Sequence, residues 1–175
     1  MLQNLFRSHP SKAQGRALYG SAAEKARDAS FYRALGAPDR IDARFELFSL
    51  HVALVLERLR DQGEEAADVA QETLDTYVRS LDDALREQGI GDLSMRKKMK
   101  TVAGLVMGRI AGVREALLSD DREAMAGLVA RSLPDLEPNQ AKALAAYVFR
   151  AHEALKAQPL RDILDGRPAW PRVQP

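Results

Sequence analysis

The amino-acid sequence predicts an all-α protein that folds as one domain, a bundle of about six or seven helices around a central apolar helix. Apolar side chains recur at three- and four-residue spacing over long segments, which is the period of an amphipathic helix. No proline interrupts the chain between Pro38 and Pro134, so the helices in this region can be long. The length of 175 residues is enough for a single substantial core.

Before the central helix, the sequence predicts a loose tail, a helix and one short helical turn. Residues 1–11 are polar and carry no long apolar run, and we expect them to form a loose tail. An N-terminal helix is predicted over 12–28. One further helical turn is predicted over 31–35, because Gly36 follows it directly.

The central helix is predicted over 39–62, the most regular apolar segment of the chain. Its apolar residues repeat at alternating four- and three-residue intervals, and additional leucines widen the stripe, as in a helix that several neighbours contact. An acidic residue near the start and a glycine after the last apolar residue are typical helix ends. The stripe consists of Ile41, Phe45, Phe48, Val52, Val55 and Leu59, with Leu47, Leu50 and Leu54 beside it.

Two long helices are predicted after the central one, over 64–88 and 94–118. The short connection that contains Gly89, Gly91 and Asp92 leaves room only for a reversal of direction, so 64–118 is predicted to be an antiparallel hairpin. Further helices are predicted over 120–132 and 138–158, with a last turn over 160–164. The proline-rich end, 166–175, is predicted to be a loose tail unless Trp170 docks.

The composition excludes several classes of protein. Without cysteine the chain has no disulfide, thiolate zinc site, iron–sulfur ligand or cysteine nucleophile. Basic and acidic residues number 26 and 25, so the net charge of +1 gives no whole-molecule reason to bind nucleic acid or an anionic membrane. The start lacks the apolar run of a secretory signal, and no window is apolar enough to span a bilayer, so we expect a soluble, cytoplasmic protein.

No residue pattern predicts catalysis, and we expect no enzymatic activity, metal, cofactor or small-molecule substrate. None of the three histidines belongs to a Glu-x-x-His or His-x-x-x-His pattern. Gly89 and Gly91 are explained as helix punctuation, since no third glycine follows them. His51 lies at the edge of the apolar stripe, and its simplest interpretation is a half-buried histidine that is hydrogen-bonded to a neighbouring helix or a backbone carbonyl.

The balanced net charge hides a strongly polarised hairpin. Residues 64–92 contain nine acids against two bases, whereas residues 93–114 contain six bases and no acid. Arg96, Lys97 and Lys98 fall in the first turns of their helix, where the macrodipole disfavours each cation by about 0.3–1 kcal/mol. Some other interaction is expected to offset this cost.

Two explanations of the basic residues remain open at this point. They pair internally with Asp82, Asp83 and Glu87 across the hairpin, at about 0.2–1 kcal/mol per exposed pair. Alternatively, they contact an anionic partner such as lipid headgroups, ribosomal RNA or an acidic protein face. In the second case the candidate basic surface consists of Arg96, Lys97, Lys98, Lys100 and Arg109.

An ordered set of motifs carries a resemblance to a known family. In chain order the motifs are Phe31-Tyr32-x-x-Leu35-Gly36-x-Pro38-Asp39, Asp42-x-Arg44-Phe45-x-Leu47-x-x-Leu50-His51, Leu85-Arg86-Glu87-x-Gly89-Ile90-Gly91-Asp92-Leu93-Ser94, Lys97-Lys98-Met99-Lys100 and Gly108-Arg109. Together they resemble the ubiquinol–cytochrome c chaperone family, whose mitochondrial members assist the assembly of cytochrome b into respiratory complex III. The ordered combination carries the resemblance, since each motif alone is common.

The resemblance implies a non-enzymatic assembly chaperone of bacterial type. It would bind nascent or newly inserted cytochrome b and assist assembly of the ubiquinol–cytochrome c reductase complex at the inner membrane. A membrane surface, the ribosome and a second assembly factor are the further partners that it implies. Candidate contacts with a protein partner are three residues of the motifs and one flexible apolar side chain: Phe31, Tyr32, His51 and Met107.

The alternative hypothesis is a helical module that binds nucleic acid or the ribosome through the basic stretch 96–109. Such binding would weaken steeply as the salt concentration rises, because it depends on contacts with phosphates. It would also be lost when Lys97, Lys98 and Lys100 are replaced by glutamate.

Overall fold

The structure is a computed structural model that describes residues 10–87 and 92–174, with the backbone alone at 92 and 93. These residues form eight helices and contain no strand, which confirms the prediction of an all-α single domain. The helices are α1 (Pro10–Ala26), α2 (Ala29–Arg33), α3 (Ile41–Leu59), α4 (Glu64–Glu87), α5 (Asp92–Leu118), α6 (Arg122–Ser132), α7 (Pro138–Ala157) and α8 (Leu160–Leu164).

Helix α3 lies between four other helices, α1, α4, α5 and α7. Every residue from Ser49 to Val55 is buried, so this part of α3 is enclosed on all sides. Ile41 belongs to the predicted apolar stripe but does not face the core. It is the first residue of the helix and is 79% exposed. The first turns of α3 therefore lie at an open end of the bundle.

The connection between α3 and α4 is a sharp turn. Helix α3 ends at Leu59, three residues before the predicted end, because Asp61 and Gly63 adopt φ angles of 56° and 95°. These angles lie in a region that interrupts a helix and that glycine occupies without strain. Helix α4 begins directly after Gly63 and packs back along α3.

Helix α1 packs closely along α4. The contact is made possible by Gly15, since a side-chain carbon at this position would lie 2.7 Å from Cβ of Glu72 and 2.9 Å from the backbone nitrogen of Thr73. Any larger residue would push the two helices apart. Of the predicted loose tail 1–11, residues 1–9 lie outside the described residues, and Pro10 is already helical.

Helices α4 and α5 run in opposite directions. The C-terminal part of α4, at Leu81, borders the same cavity as Val102 of α5, whereas the N-terminal part, at Ala67, lies beside Met107. The predicted turn residues Gly89 and Gly91 lie outside the described residues, and Asp92 is the first residue of α5.

Helix α5 is held along a narrow stripe of its surface. Met95, Val106 and Val113 are buried, and much of the remaining circumference is open. A side-chain carbon added at Gly104 or Gly108 would meet nothing within 4 Å. This 27-residue helix thus forms an outer wall of the bundle.

The segment after α8 is docked on the core through Trp170, which is the exception that the prediction of a loose tail allows. The indole N–H of Trp170 donates to Oγ of Ser21 at 3.0 Å, and its ring packs edge-on against His51 with centroids 5.0 Å apart. The side-chain amide of Gln158 makes two hydrogen bonds to the backbone of the same segment. These contacts outweigh the irregularity that the prolines impose on its backbone.

Candidate functional site

A cleft of about 790 Å³ opens between α1, α3, α4 and α5. Each of these helices contributes apolar side chains, and the rings of α3 form the floor. The apolar lining residues are Ala23, Ala26, Ile41, Phe45, Phe48, Leu81, Ala84, Leu85, Val102 and Leu105, and the polar ones are Arg27, Asp42, Arg44 and Ser80. We call this surface the apolar cleft. Such a lining is suited to the apolar side chains of another molecule.

Two large apolar side chains stand at the rim of the apolar cleft. Ile41 on α3 is 79% exposed, and Leu105 on α5 is 54% exposed. Exposed apolar residues are ordinary when they occur singly, but these two border one apolar depression and extend its surface outward. A contiguous apolar surface of this kind marks an interaction site.

The basic cluster, which we define as Arg96, Lys97, Lys98 and Lys100, is exposed on α5. Among the described residues, no acidic side chain forms an ion pair with any of the four. Asp82, one of the acids expected to pair with them, instead forms an ion pair of 2.7 Å with Arg86 of its own helix. The described part of the chain thus shows no internal pairing, which favours the explanation by an anionic partner.

One residue of the basic cluster, Lys98, lies in line with two lining residues of the apolar cleft. Lys98 precedes Val102 by four residues and Leu105 by seven, so the three positions share one face of α5. The helical rise places Lys98 about 6 Å along the axis from Val102. A molecule that occupies the cleft therefore meets positive charge at one end.

Arg109 does not belong to the exposed basic surface, and this part of the sequence prediction is wrong. Its guanidinium lies 2.6 Å from the carboxylate of Glu46 on α3, and the two side chains are only 15% and 13% exposed. A carboxylate in a mostly buried position needs a cation beside it. Arg109 therefore joins α5 to α3 rather than facing a partner.

His51 is buried, so the prediction that it contacts a partner is wrong. Its Nδ1 lies 2.7 Å from the carbonyl oxygen of Leu47, and its Nε2 lies 2.9 Å from the hydroxyl of Tyr147. Burial lowers the pKa of His51 to about 4, so the ring is neutral at pH 7. It donates from Nδ1 to the carbonyl and accepts at Nε2 from Tyr147, whose pKa burial raises. Both ring nitrogens have partners, as the simpler sequence interpretation expects.

Phe31 is also buried, and its predicted role as a partner contact is wrong. Its ring is 0% exposed and packs edge-on against His51 and Tyr147, with centroid distances of 5.3 and 4.9 Å. The neighbouring Tyr32 is half-buried, and its hydroxyl donates to the carbonyl of Ala26 at 3.3 Å. The Phe31-Tyr32 motif thus fixes α2 to the core, and only Tyr32 remains partly accessible.

Met107 is 53% exposed, as a partner contact requires. It borders two shallow cavities that differ from the apolar cleft, one against α3 and α4 and the other towards the end of α5. Leu118, 66% exposed, lines the second of them. Helix α5 therefore presents a second exposed apolar surface.

Sequence reasoning did not identify the apolar cleft. The apolar face of α4 predicts core contacts for Leu81 and Leu85; Leu81 does pack against core residues, and both leucines also line the cleft. One signal was available: Leu105 is a large apolar residue that lies outside the predicted stripe of α5, which contains Val102 and Val106. A leucine outside the stripe of an amphipathic helix indicates a second contact surface.

The described residues contain no group of three or more His, Cys, Asp and Glu side chains that could hold a metal ion. Over the same residues, no helix has the length and apolar character needed to cross a bilayer. His152 lies on α7, 3.9 Å from Glu153, away from the apolar cleft.

An all-helical domain with an open apolar cleft, exposed apolar rim residues and a nearby basic cluster has the features of the class of proteins that bind other macromolecules. Comparison with known proteins identifies the family within this class. Residues 33–170 match the family described as ubiquinol-cytochrome C chaperone. The chain belongs to this family, whose members are assembly chaperones and not enzymes.

Relatives from several organisms support this assignment. The chain is 22% identical to the ubiquinol-cytochrome-c reductase complex assembly factor 1 of Xenopus laevis, over 87% of this chain and 78% of that protein. It is 24% identical to the corresponding protein of Mus musculus, again over 87% of this chain, and spans about half, 53%, of the mouse protein. The crystal structure of the Cbp3 homolog from Brucella abortus matches with a TM-score of 0.86 and 32% identity, over 99% of this chain and 98% of that one.

Proposed function

We propose that this chaperone binds newly made cytochrome b and assists its assembly into the ubiquinol–cytochrome c reductase complex. The family match over residues 33–170 supports the role in assembly, and the names of the relatives from Xenopus laevis and Mus musculus refer to this complex. The apolar cleft is the observation that carries the proposal at the level of this chain. Cytochrome b is a membrane protein, and its apolar helices need cover before they are packed.

The cleft protects a client by burying apolar surface that would otherwise face water. Each Å² of apolar surface removed from water contributes about 25 cal/mol, so a fully buried leucine or phenylalanine contributes about 1.5–3 kcal/mol. A few such side chains give reversible binding, because association and ordering costs offset much of the gain. Reversibility is what a chaperone needs in order to release its client to the complex.

We assign Arg96 and Lys100 of the basic cluster, which lie on the side of α5 away from Leu105, to anionic lipid headgroups, which would hold the chaperone at the inner membrane where its client is inserted. A basic residue close to an anionic membrane contributes about 1 kcal/mol. Arg96, Lys97, Lys98 and Lys100 are exposed and have no ion pair among the described residues. Met107 and Leu118 form a separate apolar surface, which we assign to a second assembly factor.

Deletion of the gene tests the proposed function. We expect the level of spectroscopically detected cytochrome b in membranes, and of the assembled complex, to fall sharply, and the intact gene to restore both. The cytochromes of other complexes serve as the internal control. Unchanged cytochrome b in the deletion strain would contradict the proposal.

The second candidate function is binding of RNA, either free or in the ribosome, and the observation that favours it is the basic cluster, which has no ion pair among the described residues. RNA binding predicts affinity that falls steeply between low and physiological salt, since each phosphate contact releases a counterion. Replacement of Lys97, Lys98 and Lys100 by glutamate would abolish it. A binding assay with structured RNA at several salt concentrations distinguishes this function from the first, which predicts no such affinity.

A further inference from the structure

The apolar cleft lies at one end of the bundle, and its mouth is near the basic residues at the start of α5. It is lined by the last turn of α1, the first turns of α3, the C-terminal part of α4 and the N-terminal part of α5. Lys97 and Lys98 precede Leu105, a rim residue, by eight and seven residues, and therefore stand about two turns beyond it on the same side of α5. The cationic end of the cleft is thus the end at the start of α5.

Three of the acidic residues around this end are paired within the protein. Asp28 lies 2.8 Å from the ammonium of Lys25, and Asp39 and Asp42 form ion pairs of 2.6 and 2.9 Å with arginines of their own segment. Asp83 and Glu87 of α4 are exposed and form no ion pair among the described residues, and Glu87 shares a face of its helix with the lining residues Ser80 and Ala84. Arg27, which lines the cleft, and the four residues of the basic cluster likewise have no ion pair among the described residues, so the charge that remains available to an occupant of the cleft is net positive.

The size of the cleft matches the end of an α-helix rather than a whole one. A helix about 10 Å across that rises about 5.4 Å per turn occupies about 420 Å³ per turn. The cleft of about 790 Å³ therefore accommodates about two turns. The remainder of a membrane-length helix of about 20 residues would extend beyond the cleft.

We infer that the apolar cleft receives the C-terminal two turns of an apolar helix that ends in acidic residues. This inference rests on the proposed function, and the helix end is the part of the client that is held. The C-terminal end of a helix carries a partial negative charge of about half an elementary charge, and acidic residues after it add to this charge. Both face Lys97 and Lys98 when the apolar turns lie against Phe45, Phe48 and Leu105. A helix in the opposite direction would place its positive end there.

Synthetic peptides test the inference with the full chain. One peptide has an apolar helical segment of about 20 residues followed by three aspartates, and its matched partner ends in three lysines. Binding of each labelled peptide is measured by fluorescence anisotropy. We expect the aspartate peptide to bind about tenfold more tightly, since several exposed ion pairs each contribute about 0.2–1 kcal/mol. Equal affinities, or no binding of either peptide, would overturn the inference.

A charge exchange identifies the cations that are responsible. The double variant Lys97→Glu, Lys98→Glu should reverse the preference, so that the lysine peptide binds more tightly. The matched control Lys12→Glu, Lys156→Glu changes two exposed lysines elsewhere on the protein and should keep the wild-type preference. An aspartate preference that persists in the first variant overturns the inference. A reversed peptide preference also distinguishes this ion pairing from binding to lipid or RNA. Binding to those anions would only be lost in an acidic variant.

The apolar part of the inference has its own matched pair of variants. Ile41→Ser, Leu105→Ser removes the exposed rim of the cleft and should weaken both peptides at least tenfold. Met107→Ser, Leu118→Ser removes equally exposed side chains outside the cleft and should weaken neither. Equal weakening by the two variants would overturn the assignment to the cleft. The deletion experiment tests the proposed function independently, since cytochrome b levels in that strain do not depend on the peptide preference.

Discussion

The two sides of helix α3 use their aromatic residues in opposite ways. On the closed side, His51 is enclosed by Phe31, Tyr147 and Trp170, with ring centroids 5.0 to 5.7 Å from its own. On the open side, Phe48 packs against Tyr77 at 4.9 Å and also lines the apolar cleft. The difference arises because the segment after α8 covers the closed side, whereas no described part of the chain covers the open side.

This difference separates stability from binding along one helix. Residues on the closed side have satisfied hydrogen bonds and complete packing, so changes there should cost stability. Residues on the rim of the open side are exposed in the free protein, so changes there should cost binding alone. Four experiments, taken in order of expected effect, test this division.

Replacement of Phe31 by alanine should have the largest effect. The ring is fully buried, and loss of a buried phenylalanine costs about 3–5 kcal/mol through lost burial and the cavity that remains. Urea unfolding followed by circular dichroism measures this change, with Tyr32→Phe as the control that removes only a hydroxyl. A loss below about 1 kcal/mol would show that the closed side is not packed as described.

The pH dependence of stability should report on His51. Its pKa is about 4 in the folded protein and about 6.5 in the unfolded chain. Between these values the unfolded chain takes up a proton that the folded protein does not, so stability is complete above about pH 6.5 and decreases by about 3 kcal/mol on acidification to about pH 4.

The variant His51→Gln provides the reference for this measurement, because glutamine does not titrate. Unfolding free energies of both proteins between pH 7 and 4 give a difference that isolates His51. The pKa of Asp28 is lowered to about 2, so the stability that its carboxylate contributes is lost only as the pH falls below about 4, outside the range of this measurement. Parallel curves for the two proteins would contradict the buried, neutral histidine.

Replacement of Trp170 by alanine should cost about 2 kcal/mol, from the lost hydrogen bond to Ser21 and the lost ring contact with His51. The segment 166–174 should then become accessible to proteases, which limited proteolysis followed by mass spectrometry detects. Arg172→Ala, an exposed change in the same segment, is the control. Protection that survives in the tryptophan variant would mean that another contact holds the segment.

The smallest effect on stability is expected for Ile41→Ser, Leu105→Ser. Exposed substitutions usually change the unfolding free energy by less than about 0.5 kcal/mol, and burial on folding contributes little at these positions because both side chains are exposed. The same denaturant titration measures it. A clear loss of stability would show that the rim belongs to the core, and the contrast between the two sides would fail.

The sequence predicts most of the fold because apolar spacing is a local property. The stripe of α3 and the helices α4 and α5 follow from it, with ends displaced by only a few residues. Docking of Trp170 could not be predicted, because it depends on Ser21 and His51, which lie far away in the chain.

The candidate site is predicted less well, for a related reason. A residue of a motif that resembles the family, such as Phe31, serves the core or a partner, and the sequence does not distinguish the two. The pairing of Arg109 with Glu46 likewise depends on the packing of α5 on α3. By contrast, the exposed basic cluster was predictable, since charged side chains on a helix face solvent unless a partner is brought to them.

The glycines of α5 have a consequence for the motion of the cleft wall. Each costs a helix about 0.8–1 kcal/mol relative to alanine, and Gly104 and Gly108 gain no close contact in return. Amide hydrogens in this part of α5 should therefore exchange with solvent faster than those of the enclosed α3. Helix α5, the wall of the cleft that carries Leu105, can therefore adjust to bound helices of different diameter. The aromatic rings of α3 at the floor of the cleft stay fixed.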